Sequence, residues 1–167
     1  MTVVMMGVAG SGKTTIGRLL AQALGCAFLE GDSLHPPANV EKMSRGIPLT
    51  DADRSPWLAA IRGHILDAAK RGECLVVACS AIKQQYRDFL SQGTNVTWVY
   101  LKGSRDLIAS RIEHRREHYM KVGMLDSQFT DLEEPSEALV VDISPPPEVI
   151  VPELLSRLAS QRASRPV

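Results

Sequence analysis

The sequence has no apolar run approaching the roughly 20 residues that span a bilayer. Its opening, Met1-Thr2-Val3-Val4-Met5-Met6-Gly7, lacks the basic lead-in and cleavage site of a signal peptide. A cytoplasmic protein without a membrane partner is therefore expected. It also lacks a charge excess, because 19 Lys plus Arg balance 19 Asp plus Glu, which argues against a nucleic-acid binder. Cysteine is scarce: Cys26, Cys74 and Cys79 are odd in number and form no CxxC pair. Neither a disulfide framework nor a cysteine zinc site is expected, and buried thiols are the simpler reading. There is no internal repeat and no low-complexity linker.

What is present suits one domain of 167 residues, 44% hydrophobic and 23% charged, within the range of ordinary globular proteins. Short apolar runs recur at Val3 to Val8, Cys26 to Leu29, Cys74 to Cys79, Val96 to Leu101 and Ala138 to Ile143. They lack polar alternation, as strands covered on both faces of a parallel sheet do. Five such strands alternating with helices predict a doubly wound α/β domain. One helix is expected from Lys13 to a stop at Gly25, and one from Ser55 as N-cap and Pro56 at the first helical position to Gly72. A third is expected from about Ser104 to Glu117, and a last from near Glu148, with a frayed tail from Ser160 to Val167. The stretches Gly31 to Arg54 and His118 to Glu134 break the alternation. Insertions at the carboxyl ends of parallel strands are where ligands of this architecture sit.

Gly7-Val8-Ala9-Gly10-Ser11-Gly12-Lys13-Thr14 matches GxxxxGK[ST] without a gap, after a predicted strand and before a predicted helix. In such a loop backbone N–H groups and a helix N-terminus cradle phosphate, the lysine reaches the β- and γ-phosphates, and the Thr14 hydroxyl is the expected magnesium ligand. These residues, with Thr15 behind them, are the expected nucleotide-binding set. Neither the NKxD nor the DxxG motif of a GTPase occurs, which leaves ATP as the expected nucleotide. The third strand ends without the aspartate of a Walker B motif, so another carboxylate must help hold Mg²⁺. Asp32, just past the second strand, is the candidate.

Asp32 could also orient an acceptor hydroxyl and take its proton during phosphoryl transfer, or it could merely cap the turn before Pro36. Lys42, Arg45 and Arg54 place three cations in the following insertion and would suit an anionic acceptor. Arg54 is favoured, because a guanidinium grips a carboxylate bidentately. Arg111, His114, Arg115 and His118 share one helical face. That face reads as the base of a lid closing over ATP, with a solvated basic stripe or a His114 and His118 zinc pair as the competing readings.

Glu30-Gly31-Asp32-Ser33-Leu34-His35-Pro36 is followed by Asn39, Lys42-Met43, Gly46-Ile47-Pro48-Leu49, Asp51, Asp53-Arg54 and Pro56-Trp57-Leu58. With Ala78-Cys79-Ser80-Ala81, Lys83, Tyr86-Arg87, Ser127-Gln128-Phe129 and Leu132-Glu133-Glu134-Pro135, this series resembles the signature of the gluconokinase family from Met5 to about Pro152. The resemblance implies an ATP-dependent kinase that converts D-gluconate to 6-phospho-D-gluconate, a P-loop fold near that of shikimate kinase with sheet order 2-3-1-4-5, and a homodimer. It also implies that Asp32 faces the acceptor hydroxyl, that Arg54 binds near the carboxylate with His35, Lys83 and Arg87 as weaker candidates, and that Arg111 lies near the adenine and Arg115 near the phosphates. On this reading the acceptor-binding insertion covers about 31–54 and the lid about 115–134. Where the family usually reads Arg-x-Gly-His-Phe-Met, the chain has Arg115-Arg116-Glu117-His118-Tyr119-Met120, and loss of that glycine is expected to stiffen the hinge.

Two other readings remain open at this level: a kinase for another small hydroxy acid such as shikimate, and a non-catalytic ATP-binding switch. The zero net charge is itself a sum of unlike parts. From Lys102 to Lys121 six basic and three acidic residues give a local +3, whereas Val122 to Glu153 holds eight acidic residues and no Lys or Arg.

Overall fold

The computed structural model describes residues 1–114 and 122–163. Five strands, β1 (Thr2–Met6), β2 (Ala27–Glu30), β3 (Leu75–Ala78), β4 (Val96–Lys102) and β5 (Leu139–Asp142), form one parallel sheet in the order β2-β3-β1-β4-β5. Each lies on an expected apolar run. Val3 and Met5 of the central strand enter the core on one face while Val4 and Met6 enter it on the other, all four fully buried. A strand covered on both sides needs apolar residues at consecutive positions, which is why the runs do not alternate.

The helices are α1 (Lys13–Leu24), α2 (Pro37–Ser44), α3 (Asp51–Lys70), α4 (Gln84–Ser91), α5 (Arg105–Glu113), α6 (Val122–Asp131) and α7 (Pro147–Ala163). Ile16 and Leu20 of α1, Ile108 and Ile112 of α5, and Ile150 and Leu154 of α7 cover one face of the sheet. Trp57, Ile61 and Ile65 of α3 with Tyr86 and Leu90 of α4 cover the other. Among the described residues no helix is long and apolar enough to cross a membrane.

The first helix follows expectation, ending on Gly25 in the left-handed conformation at φ 66°. The second expected helix begins a turn earlier than Ser55. Thr50 accepts from the Asp53 N–H at 3.1 Å, and the Asp53 carboxylate accepts from the Thr50 N–H at 2.9 Å. This reciprocal cap satisfies two orphan donors and outcompetes the Ser55-Pro56 start, and Pro56 lies inside the helix. As a result Arg54 stands in the first turn of α3 instead of in a loop before it. Helix α5 stops at Glu113 with His114 as its cap, short of the expected Glu117, and residues 115–121 lie outside the described residues. The last helix runs from Pro147 to Ala163, so 160–163 of the expected frayed tail are helical, and residues 164–167 lie outside the described residues.

The cysteine expectation is corrected. Cys26 and Cys74 form a disulfide with their Cα atoms 4.8 Å apart. They immediately precede β2 and β3, whose parallel register pairs Ala27 with Leu75, so strand pairing brings together residues 48 positions apart. Cys79 alone is a free buried thiol, pushed up to about 12 chiefly by burial.

Candidate active site

The carboxyl ends of β1, β2 and β3 open into a cavity lined by Lys13, Thr14, Asp32, His35, Arg54 and Gln128, among others. Its floor is the loop from Gly7 to Gly12. Gly7 sits at φ +146°, and a Cβ there would lie 2.9 Å from the Leu101 carbonyl oxygen, so the loop cannot pass under β4 with a side chain at this position. Lys13, the first residue of α1, is buried, and its Nζ donates to the carbonyls of Gly7 at 3.1 Å and Val8 at 2.9 Å, spanning the loop. Thr15 lines the same cavity. The Thr14 hydroxyl donates to Glu30 Oε2 at 2.5 Å. Sequence reasoning named Asp32 as the carboxylate near the metal ligand and missed Glu30, although an acid at the carboxyl end of β2, beside the loop, is the available signal.

A further part of the lining comes from the turn after β2. A Cβ on Gly31 would fall 2.3 Å from the Ala78 carbonyl oxygen, so glycine is needed for β2 to turn against β3. The resulting 3-10 turn, Gly31–Leu34, sets Asp32 and His35 on the cavity. Trp57 Nε1–H donates to the Gly31 carbonyl at 2.7 Å, and the Trp57 ring stacks on His35 at 4.2 Å between centroids and 13° between planes. Asn39 Nδ2 lies 3.3 Å from His35 Nδ1 and donates to the Asp53 carbonyl at 2.8 Å. An amide N–H facing Nδ1 makes that nitrogen the acceptor and puts the ring proton on Nε2. Burial pulls His35 below its ordinary value of 6.5; the Asp32 carboxylate opposes that shift and the Arg54 guanidinium adds to it. His35 is therefore a neutral imidazole near neutral pH.

Arg54 is buried, donates from Nη1 to Tyr86 Oη at 3.1 Å, and carries its guanidinium over the Tyr86 ring. Tyr86 in turn donates to the Asp51 carboxylate, to which Lys83 also donates at 3.1 Å. Asp32, His35 and Arg54 thus meet on one cavity with Lys13 and Thr14. Lys83 and Arg87 do not line it. Lys83 is spent on Asp51, while buried Arg87 donates to the carbonyls of Ala81 at 2.9 Å and Glu133 at 2.8 Å, tying the segment after β3 to the segment after α6. Ala81 in that segment holds φ 41°, an uncommon conformation for a residue with a Cβ. Lys42 is occupied by both oxygens of Asp53, whose carboxyl it holds down to about 2 together with the Thr50 N–H. Arg45 is exposed beside Glu41.

A second cavity adjoins the first across Gly12 and Thr15 and is lined by Arg111, Ile143, Pro145 and Pro147. Arg111 donates to the Ile143 carbonyl at 2.6 Å, which fixes it against the turn between β5 and α7. His114 Nδ1 lies 2.6 Å from the Ser110 carbonyl, within its own helix. Arg115 and His118 lie outside the described residues. Among the described residues no three His, Cys, Asp or Glu groups are placed to hold a metal ion. Over the phosphate loop, Met43 of α2 and Met124 of α6 pack with Ala9 and Leu49, and the Ala9 N–H donates to Gln128 Oε1 at 2.7 Å.

Comparison with known proteins gives the same fold and a narrower family. The family model described as shikimate kinase matches residues 9–142. The chain is 44% identical over 153 residues to the thermoresistant gluconokinase of Escherichia coli, covering 89% of this chain and 87% of that protein. It is 42% identical over 162 residues to the gluconokinase of Gluconobacter oxydans, covering 95% and 91%. The crystal structure of a gluconokinase from Sinorhizobium meliloti superposes with a TM-score of 0.86 at 44% identity, covering 96% of this chain and 92% of that one.

Proposed function

Because this chain belongs to the gluconokinase family, within the shikimate-kinase type of phosphate-loop kinases, we propose that it transfers the γ-phosphoryl group of ATP to D-gluconate and releases 6-phospho-D-gluconate and ADP. The observation that carries the reading is the shared cavity, which the Asp32 carboxylate and the buried Arg54 guanidinium line together with Lys13 and Thr14. The first pair offers a base and a cation to a hydroxy acid. The second offers the groups that hold a triphosphate.

In this proposal the loop from Gly7 to Thr14 and the start of α1 hold the phosphates, with Thr15 and Arg111 on the nucleotide side and the second cavity receiving the base. Lys13 leaves the carbonyls of Gly7 and Val8 for the β- and γ-phosphate oxygens. Arg54 binds the gluconate carboxylate, and neutral His35 presents its Nε2 proton to a hydroxyl. Asp32 accepts the proton of the attacking hydroxyl as its oxygen bonds to the γ-phosphorus and the bond to the β–γ bridging oxygen breaks, so the electron pair leaves on ADP. Thr14 and Glu30 fit a Mg²⁺ site. The Thr14 proton is committed to a carboxylate, which leaves oxygen lone pairs for a hard cation. The ion would neutralise charge on the phosphates.

By the family resemblance, the proposal also assigns Arg115 to the phosphates, the 115–134 stretch to closure over ATP, one kinase domain to the whole chain, and a homodimer working in the cytoplasm. Incubation with ATP and gluconate followed by phosphorus NMR tests the reaction. A phosphomonoester on the terminal carbon is expected, and ATP hydrolysis to inorganic phosphate with unmodified gluconate would refute it.

A further inference from the structure

The Ser127-Gln128-Phe129 motif carries no role in the reaction described so far, yet Gln128 lines the same cavity as Asp32, His35 and Arg54. Its carboxamide is held at one end only. Ala9 presents an N–H, so the atom 2.7 Å away must be the amide oxygen, and the assignment of oxygen and nitrogen is settled by the donor. Nothing among the described residues accepts from Nε2. In the conformation described, the helix carrying Gln128 is docked on its neighbours. Asp126 of α6 pairs with Arg105 of α5, whose Nη2 donates at 3.0 Å. Met124 packs on Met43, Leu49 and Ala9, and beyond the helix the Glu133 N–H donates to the Ile82 carbonyl at 2.8 Å. A glutamine clamped by its oxygen, on a docked helix, at the edge of the acceptor cavity, presents an –NH₂ group in a set orientation.

We propose that Gln128 is an acceptor-binding residue that determines specificity, donating from Nε2 to one hydroxyl of the polyol substrate while the Ala9 N–H sets its orientation. The inference rests on the gluconate kinase reading above. The neutral amide decides between the two groups that could meet it. The transferring phosphoryl group carries dense negative charge and is already served by Lys13 and the loop amides, for which a further uncharged donor adds little. A sugar-acid hydroxyl is a neutral acceptor, and a site built to hydrogen-bond a hydroxyl discriminates strongly against the analogue that lacks it. Because the clamp is a backbone N–H of the phosphate loop, the same side chain fixes the distance between the acceptor chain and the phosphates.

The test is a cycle between side chain and substrate: kcat/KM of the wild type and Gln128→Ala for gluconate and for its monodeoxy analogues. Gln128→Ala should lower kcat/KM for gluconate about tenfold, through KM, with the KM for ATP changed less than about twofold. One deoxygluconate, already poor for the wild type, should lose nothing further in the variant. Equal losses on gluconate and every deoxy analogue, or a loss confined to ATP, would overturn the inference. Should the alanine variant fail to fold, Gln128→Glu keeps an oxygen for the Ala9 N–H and is read by the same cycle. A wild type inactive on gluconate contradicts the kinase reading and this inference together, whereas an active wild type with uniform losses contradicts only the inference.

Discussion

The Thr14 hydroxyl donates to Glu30 Oε2 at 2.5 Å, joining the first turn of α1 to the carboxyl end of β2 across the floor of the cavity. A hydroxyl whose proton is committed in this way is a better ligand for a hard cation, and the carboxylate beside it can hold metal-bound water. The third strand ends Leu75-Val76-Val77-Ala78 without an acid, and on the proposed reading Glu30 takes the place that a Walker B aspartate fills elsewhere. Glu30→Gln should raise the Mg²⁺ concentration for half-maximal activity about tenfold or more, with the gluconate KM nearly unchanged. A magnesium titration of initial rates at saturating ATP checks this. An unchanged magnesium dependence would remove Glu30 from the metal site.

Arg54 is held by Tyr86, which is held by Asp51, so two residues outside the cavity set the aim of the cation proposed to bind the acceptor. Arg54→Ala should cost about 1.5 to 3 kcal/mol of acceptor binding, the size of one lost charge-assisted contact. Tyr86→Phe should cost about 0.5 to 1.5 kcal/mol in the same direction. Both changes should appear in the gluconate KM and leave the ATP KM in place.

His35 makes stability depend on pH in a defined window. Burial lowers its pKa below 6.5, so the unfolded chain binds the proton more readily than the folded one. Stability should therefore be level above about 6.5 and fall as the pH drops from there toward the lowered folded value. Thermal melts of wild type and His35→Gln across pH 5 to 8 isolate the effect, because the surrounding carboxylates are common to both. The difference between the two curves should narrow or reverse on acidification, and parallel curves would contradict the half-buried neutral imidazole.

The Cys26 and Cys74 bridge closes a loop that contains Asp32, His35 and Arg54, yet it lies at the amino ends of β2 and β3, across the sheet from the cavity. Opening it should lower stability, by up to about 4 kcal/mol from loop entropy, with kcat retained. Melting curves and initial rates measured with and without a thiol reductant test both halves, and a loss of kcat without unfolding would show coupling across the sheet.

The strands and the phosphate loop were legible in the sequence for a physical reason: runs such as Val3 to Met6 are buried on both faces, and a gap-free glycine pattern before a helix has few other uses. Sequence order also placed Asp32 and His35 together, because both follow β2 closely, whereas Arg54 lies beyond α2 and was legible only as one of three cations in the insertion. Long-range partners were not legible. Lys83 and Arg87 carry the charge of a substrate ligand, and nothing local reveals that Asp51 and the carbonyls of Ala81 and Glu133 occupy them. The same limit hid the disulfide, whose cysteines meet only through strand register, and the contact of Ala9 with Gln128, 119 positions apart. The start of α3 was misplaced because Ser55-Pro56 is a sound local signal and the Thr50 and Asp53 cap is a stronger one.

The central claim is that this cavity phosphorylates gluconate, and acceptor-dependent ADP release tests it most directly. The wild-type enzyme with ATP, Mg²⁺ and, in turn, gluconate, gluconate epimers, shikimate and nucleoside monophosphates should turn over fastest with gluconate, and Lys13→Ala and Asp32→Asn should abolish that turnover while remaining folded. A rate with gluconate no higher than with no acceptor, or turnover indifferent to Asp32→Asn, would contradict the account.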